Sequence, residues 1–187
     1  MEKLLIQQVI EGDISKFSFF IDSYKDMAYT IAFRIVKDSE DAEEIVQDSF
    51  LKAYNSLKKF RHDSKFSTWL YKIVVNSSLS RVSQRKMEVC EIDLSQASQY
   101  FIENVESVYK NLVLADQRKQ INIALDSLGP EDKLLLTLYY LCENTIDEVV
   151  EMTGIKADNV KMKLHRARKK MYIILEKLLK TESLFIL

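Results

Sequence analysis

Glycine, proline, cysteine and histidine are all scarce in this chain. Three Gly and one Pro among 187 residues supply few of the tight turns and corners that sheets need. Two cysteines, Cys90 and Cys142, cannot build a disulfide framework. Both sit in unremarkable contexts, so redox sensing ranks below the other readings. The only histidines, His62 and His165, lie far apart in sequence and in no metal-ligand or nucleophile motif. No catalytic constellation and no cofactor is therefore expected. No apolar run approaches the ~20 residues that cross a membrane. Met1–Gln7 lacks the uninterrupted apolar core of an export signal, so a cytoplasmic location without membrane insertion is expected.

What is present points to a globular, mostly helical protein. Hydrophobic residues make up 47% and charged residues 29% of the chain, a folded rather than a disordered balance. The length suits one ordinary domain or two small helical ones. A formal net charge of −1 conceals strong segregation. Residues 1–57 hold 6 Lys/Arg against 11 Asp/Glu, and residues 58–86 hold 8 against 1. Residues 87–155 hold 4 against 13, and residues 156–187 hold 9 against 3. Two basic islands, each after an acidic stretch, imply two anionic contacts and at least one basic partner. Screening over about 8–10 Å makes each island act locally. The plainer alternative is a set of solvated helix faces, which explains one island more easily than both.

Apolar residues recur at helical spacing almost throughout. Ile14, Phe17, Phe20, Ile21 and Tyr24 share a face, continued by Ala28, Ile31, Ala32 and Ile35. Lys37-Asp38-Ser39 offers an N-cap for a helix carrying Ala42, Ile45, Val46, Phe50, Ala53, Tyr54 and Leu57. Residues 60–65 break the pattern and read as a loop. Ser67 or Thr68 can then cap a helix with Trp69, Leu70, Ile73, Val74 and Leu79 facing inward. From Met87 to about Asn111 the spacing weakens into a linker. A second unit begins near Leu112 and contains Ile121–Leu128 and a helix opened by Pro130, where the missing N–H costs nothing.

Thr145 to Ile155 is the most informative local pattern. Thr145 and Glu148 are spaced for a capping box, and Gly154 can supply the positive φ of a turn. The next helix, Ala157 to about Leu179, lines up Val160, Leu164, Ala167 and Met171 behind Ile155. Its other faces carry Lys161, Lys163, His165, Arg166, Lys169 and Lys170. A short helix, a glycine turn and a basic second helix can enter the DNA major groove. A helical hairpin with a solvated basic face is the alternative.

In the first unit, Asp41, Glu43, Glu44 and Asp48 crowd one helix, either as a solvated face or as a docking surface for a basic partner. The segment from Lys58 to Lys72 interleaves aromatics with Lys and Arg, the chemistry of single-strand binding by stacking and phosphate attraction. Trp69 and Phe66 read as core residues, whereas Phe60 and the loop polar groups are better placed to meet a base. Asn76 offers an amide that can read a base edge.

Together these segments resemble a bacterial RNA polymerase sigma factor of the extracytoplasmic-function (ECF) group of the sigma-70 family. The residues that carry the resemblance are Asp41–Tyr54, Phe66–Asn76, Leu128-Gly129-Pro130-Glu131 and Val160–Lys169. The resemblance implies an all-α fold of two small domains, a sigma-2 bundle over 1–88 and a sigma-4 helix-turn-helix over 112–187, with a flexible linker at 89–111. It implies a non-enzymatic factor that binds core RNA polymerase and directs initiation at promoters. Glu44, Gln47 and Asp48 would dock on the β′ clamp helices, with the β subunit as a further contact. Asn76 and the loop from Phe60 to Phe66, including Arg61 and Lys65, would read the minus-10 element and its melted strand. Lys72, Arg81, Arg85 and Lys86 would hold its phosphates. Lys161, Met162, His165, Arg166 and Lys169 would read the minus-35 element, with Lys163 and Lys170 on phosphates. An anti-sigma factor is a further implied partner.

Two departures bear on promoter choice rather than on class. Met162 replaces a common small hydroxyl residue and offers apolar contact instead of a hydrogen bond. Val149-Val150 replaces a commoner Ile-Ala pair and makes a bulkier helix contact. The rival readings are a helix-turn-helix regulator that never touches polymerase, which leaves Asp41–Asp48 unexplained, and a sigma-like decoy for an anti-sigma factor. The apolar Leu184–Leu187 needs cover from the core or from a partner.

Overall fold

The computed structural model describes residues 1–88 and 110–184, which hold eight α-helices and no strand. The helices are α1 (Glu2–Ile10), α2 (Phe17–Val36), α3 (Ser39–Ser56), α4 (Phe66–Glu88), α5 (Lys110–Asp126), α6 (Pro130–Leu136), α7 (Ile146–Thr153) and α8 (Ala157–Leu184). Most of the expected linker, with Cys90, lies outside the described residues, as does the tail beyond Leu184 and the side chain of Lys86.

The first helices form because each carries one apolar stripe. On α2, Phe17, Phe20, Ala28, Ile31, Ala32 and Val36 are buried, and on α3 Ala42, Ile45, Phe50 and Ala53 meet them. Ile14 and Ile21, expected on the same face as Phe17, are exposed. Lys37 ends α2 in the left-handed conformation, and Asp38 opens α3 by accepting the Asp41 N–H at 2.9 Å. The helix α4 starts earlier than the sequence suggests. Trp69 N–H bonds Lys65 O at 3.2 Å, so Lys65 occupies the cap position and neither Ser67 nor Thr68 does. The reason is tertiary: Phe66 must sit inside the helix to bury its ring, 4.4 Å from that of Phe20. Leu79, placed on the inward stripe by spacing, is exposed; Ser78 is buried instead and returns its hydroxyl to Val74 O at 2.8 Å.

The second group starts with α5 at Lys110, two residues before the expected start. Pro130 stands at the first position of α6, as its chemistry requires. The helix continues through a wide turn at Thr137–Leu141, where Cys142 N–H reaches Thr137 O at 3.1 Å. Both halves of the Thr145–Glu148 capping box form, and Gly154 takes φ +71° between α7 and α8. Val149 and Met152 of α7 pack on Val160, Leu164 and Ala167 of α8 in a helix-turn-helix. Both helix groups share one continuous cluster of buried apolar residues. A side chain at Gly154 meets no atom within 4 Å, so only backbone strain opposes one. Gly154→Ala is therefore expected to cost about 1 kcal/mol in denaturant unfolding.

Candidate nucleic-acid and polymerase interface

The acidic stretch of the sequence becomes the outer face of α3. Glu44, Gln47 and Asp48 are all on its open side, one turn apart. Leu51, the next residue on the same face, is 61% exposed. Helical spacing alone would have found it, since it stands three and four residues beyond Asp48 and Gln47.

The cations expected to meet the strand divide into two sets. Lys72 is half-buried and Asn76 is exposed one turn along α4. Arg61 is exposed, with Asp63 at 3.3 Å. Arg81 and Arg85 were expected as phosphate contacts, but they turn to α3. Arg81 reaches Asp41 at 2.7 Å and Glu44 at 3.0 Å; Arg85 reaches Asp41 at 2.7 Å and Asp38 at 3.5 Å. Two arginines one turn apart on α4 thus lie across three carboxylates on the opening turns of α3. The Asp38 carboxyl is held below its usual range by the Asp41 N–H, with Arg85 adding to the effect.

The loop aromatics are also placed differently. Phe60, expected to be the more open ring, is only 9% exposed, with its centroid 5.0 Å from Trp69 and 5.9 Å from Phe66. Trp69 is the less buried of the two. An aromatic that can complete a cluster of three rings does so, because each ring buries a large area.

On α8 the seven expected residues likewise fall on two faces. Lys161, His165 and Lys169, four residues apart, form an exposed row, and Met162 beside it is 43% exposed. Lys163, Arg166 and Lys170 instead border α6. Lys163 pairs with Glu131 at 2.5 Å and Lys170 with Asp132 at 2.6 Å. Together with Arg166 and Gly129-Pro130 they line a cleft of about 310 Å³. Sequence reasoning missed this role for Glu131 and Asp132, because partners 32 and 38 residues away leave no local signal.

The structure also brings the strand-binding loop onto the helix-turn-helix. Glu148 Oε1 lies 3.0 Å from Lys65 Nζ and accepts the Thr68 hydroxyl at 3.2 Å, while Glu151 accepts the Ser64 hydroxyl at 3.2 Å. Partial burial pushes the Glu148 carboxyl up, but the Thr145 N–H and Lys65 outweigh it and leave it below the usual range. A second link joins the groups at α2, where Lys37 and Lys133 both reach Asp126 Oδ1, at 2.6 and 2.7 Å. Arg34 adds a bond to Asn122 at 2.9 Å. Burial lifts the Cys142 thiol to about 12, so it stays protonated and unreactive. Among the described residues no group of three His, Cys, Asp or Glu could hold a metal, and no helix is long and apolar enough to cross a membrane.

An acidic helix face, a basic aromatic loop and a helix-turn-helix on one chain define a transcription initiation factor of the sigma type, and comparison with known proteins agrees. Sigma-70 region 2 matches residues 20–87, and Sigma-70, region 4 matches residues 118–171. The ECF RNA polymerase sigma factor SigW of Bacillus subtilis (strain 168) is 31% identical over 177 residues, covering 90% of this chain and 93% of SigW. The ECF RNA polymerase sigma-E factor of Escherichia coli (strain K12) is 30% identical over 177 residues, covering 89% and 90%. The chain belongs to the sigma-70 family of RNA polymerase sigma factors, in its ECF group. It is an initiation factor that binds RNA polymerase and directs transcription from specific promoters, and not an enzyme. The fold is shared with CnrH in complex with the cytosolic domain of CnrY (TM-score 0.65, 20% identity, 93% of this chain and 96% of that one). It is shared also with the sigma factor RpoE in complex with the anti-sigma factor NepR from Bartonella quintana (TM-score 0.70, 18% identity, 86% and 96%).

Lys133 is 3% exposed, and burial lowers its ammonium from lysine's usual 10.5 to about 8 despite Asp126. Between those values the unfolded chain binds more protons at this site, so this residue's contribution to stability rises with pH. The melting temperature of wild type relative to Lys133→Met should accordingly increase from pH 7 to pH 10. A difference that stays flat would mean that Lys133 titrates like a free lysine.

Proposed function

We propose that this chain is a two-domain cytoplasmic factor whose residues 1–88 bind polymerase and the minus-10 region. Residues 112–187 bind the minus-35 region, and residues 89–111 link the two. The observation that carries this reading is the exposure, on one chain, of an acidic face on α3 and a basic row on α8. Gln47 and Asp48, with Glu44 and the exposed Leu51 beside them, dock on the basic clamp helices of β′. Charge complementarity of this kind sets the rate and register of docking more than its strength, and an apolar anchor such as Leu51 adds holding power. Lys161, Met162, His165, Arg166 and Lys169 meet base edges in the major groove.

The strand-binding surface comprises Lys72 and Asn76 on the open face of α4 together with the Phe60–Lys65 loop. Lys163 and Lys170 reach phosphates only by exchanging Glu131 and Asp132 for them, and Arg81 and Arg85 only by leaving α3. Such exchanges are cheap, because partly exposed ion pairs are worth about 0–1 kcal/mol. Pocketing or stacking a base yields about 1–3 kcal/mol, while opening duplex costs about 1.4 kcal/mol per step. A bubble of several pairs therefore exceeds what this chain gains alone, and core polymerase must share the work. That division of labour accounts for an acidic docking face on a DNA-binding protein. An anti-sigma factor is a fitting further partner, because both solved relatives are held in complexes, one of them with an anti-sigma factor by name.

Replacing Gln47 and Asp48 with lysine should abolish binding to purified core polymerase; unchanged affinity would remove the docking assignment. Arg166→Ala should weaken binding to the upstream element by about 1–3 kcal/mol and relax one base position. Equal weakening on every DNA sequence would make Arg166 a phosphate contact instead.

A further inference from the structure

Polar contacts between the two helix groups fall on residues with other tasks. The carboxylate of Glu148 is shared between them, one oxygen to each side. Oε2 accepts the Thr145 N–H at 2.7 Å and closes the capping box that opens α7. Oε1 faces the other group and takes Lys65 Nζ at 3.0 Å and Thr68 Oγ1 at 3.2 Å. Thr68 is fully buried at this seam, and Ser64 is held one turn further along α7 by Glu151. The segment from Ser64 to Thr68 is the end of the strand-binding loop and the first turn of α4. In this form the first helix of the helix-turn-helix covers it.

We propose that Glu148 is the latch of an autoinhibitory closed form: it joins α7 to the strand-binding loop, and promoter engagement requires that contact to break. The inference rests on the proposed function and adds a requirement to it. Elements centred near minus-10 and minus-35 lie about 25 base pairs apart, or about 85 Å of duplex at about 3.4 Å per base pair. Here the loop touches α7, and α7 packs on the recognition helix at an interaxial distance of about 8–10 Å. One molecule cannot hold both elements without separating the two helix groups. The acidic side chains of α7 also occupy the cation and the hydroxyls that would otherwise face a phosphodiester, so closing and strand binding compete for the same groups.

The latch is built to release. Lys65 is 65% exposed along its side chain, so its pair with Glu148 is weakened by salt and can be displaced by a polyanion. Opening leaves the capping box intact, because that box uses the other oxygen. The helix-turn-helix thus keeps its own geometry when it swings away. The Lys37–Asp126–Lys133 and Arg34–Asn122 contacts at α2 form a second strap, which must part in the same motion.

The test uses the full chain and two variants, Glu148→Gln/Glu151→Gln and Thr145→Ala. Glutamine at position 148 keeps a capping-box partner for α7 while removing the charge that holds Lys65. Thr145→Ala weakens the box and leaves the charge in place, so it separates loss of the cap from loss of the latch. Small-angle scattering and amide exchange across residues 64–70 report opening. Fluorescence anisotropy with a thymine-rich single-stranded oligonucleotide reports access to the loop. The double glutamine variant should raise the open population and tighten oligonucleotide binding by about fivefold, as expected for one lost ion pair and its hydrogen bonds. Thr145→Ala should do neither. A wild-type chain already extended at low salt, or a double variant with unchanged scattering and exchange, would overturn the latch. Opening without oligonucleotide or core polymerase binding in any variant would uphold the latch and sink the functional reading instead.

Discussion

The contact of Phe66 with Phe20 governs where most other parts of this molecule come to rest. It seats the first turn of α4 against α2 and so decides where that helix begins. The start of α4 sets the length of the preceding loop, closes Phe60 and Trp69 around Phe66, and presents Thr68 to α7. Because a helix advances about 1.5 Å per residue in a fixed direction, the same contact determines where Arg81 and Arg85 arrive, opposite Asp38, Asp41 and Glu44. One buried aromatic pair thus aims both ends of α4: one at the helix-turn-helix, the other at the helix that carries the docking face.

The charge islands of the sequence acquire a second meaning in three dimensions. Along the chain, two basic stretches imply two anionic partners outside the molecule. Folded, both islands also find carboxylates within it. The first reaches α3 through Arg81 and Arg85 and α7 through Lys65, and the second reaches α6 through Lys163 and Lys170. Internal pairing suits a protein that must stay soluble and selective before it meets a promoter. Cations already matched to carboxylates attract nonspecific DNA weakly, and a phosphate backbone at high local density can still displace pairs that individually contribute little. Among the expected DNA contacts on the helices, the row Lys161, His165 and Lys169, with Met162, and the α4 positions Lys72 and Asn76 stand open in the closed arrangement.

Much of the architecture was legible because it depends on short-range rules. Helical spacing placed the buried stripes of α2 and α3, and Pro130 marked the start of α6. The Thr145–Glu148 box and Gly154 marked both ends of α7. Errors arose where a residue's fate depends on another helix. Leu79 points outward although it keeps the apolar period. Ser78 goes inward because its hydroxyl can bond its own helix, and Phe60 closes into a cluster that no local pattern announces.

The sequence by itself determined the family, the helix-turn-helix and the separation of acidic from basic surfaces. These rest on residue type and on spacings of three or four positions, which survive any packing of the helices. Tertiary structure alone decided which cations remain free. The pairs that occupy the others join residues 32 to 89 positions apart, with Lys163 to Glu131 and Lys37 to Asp126 at the extremes. It alone gave Glu148 its second partner. One of that side chain's oxygens obeys a local rule that can be read from the sequence; the other depends on the approach of a distant loop, for which the chain carries no local mark.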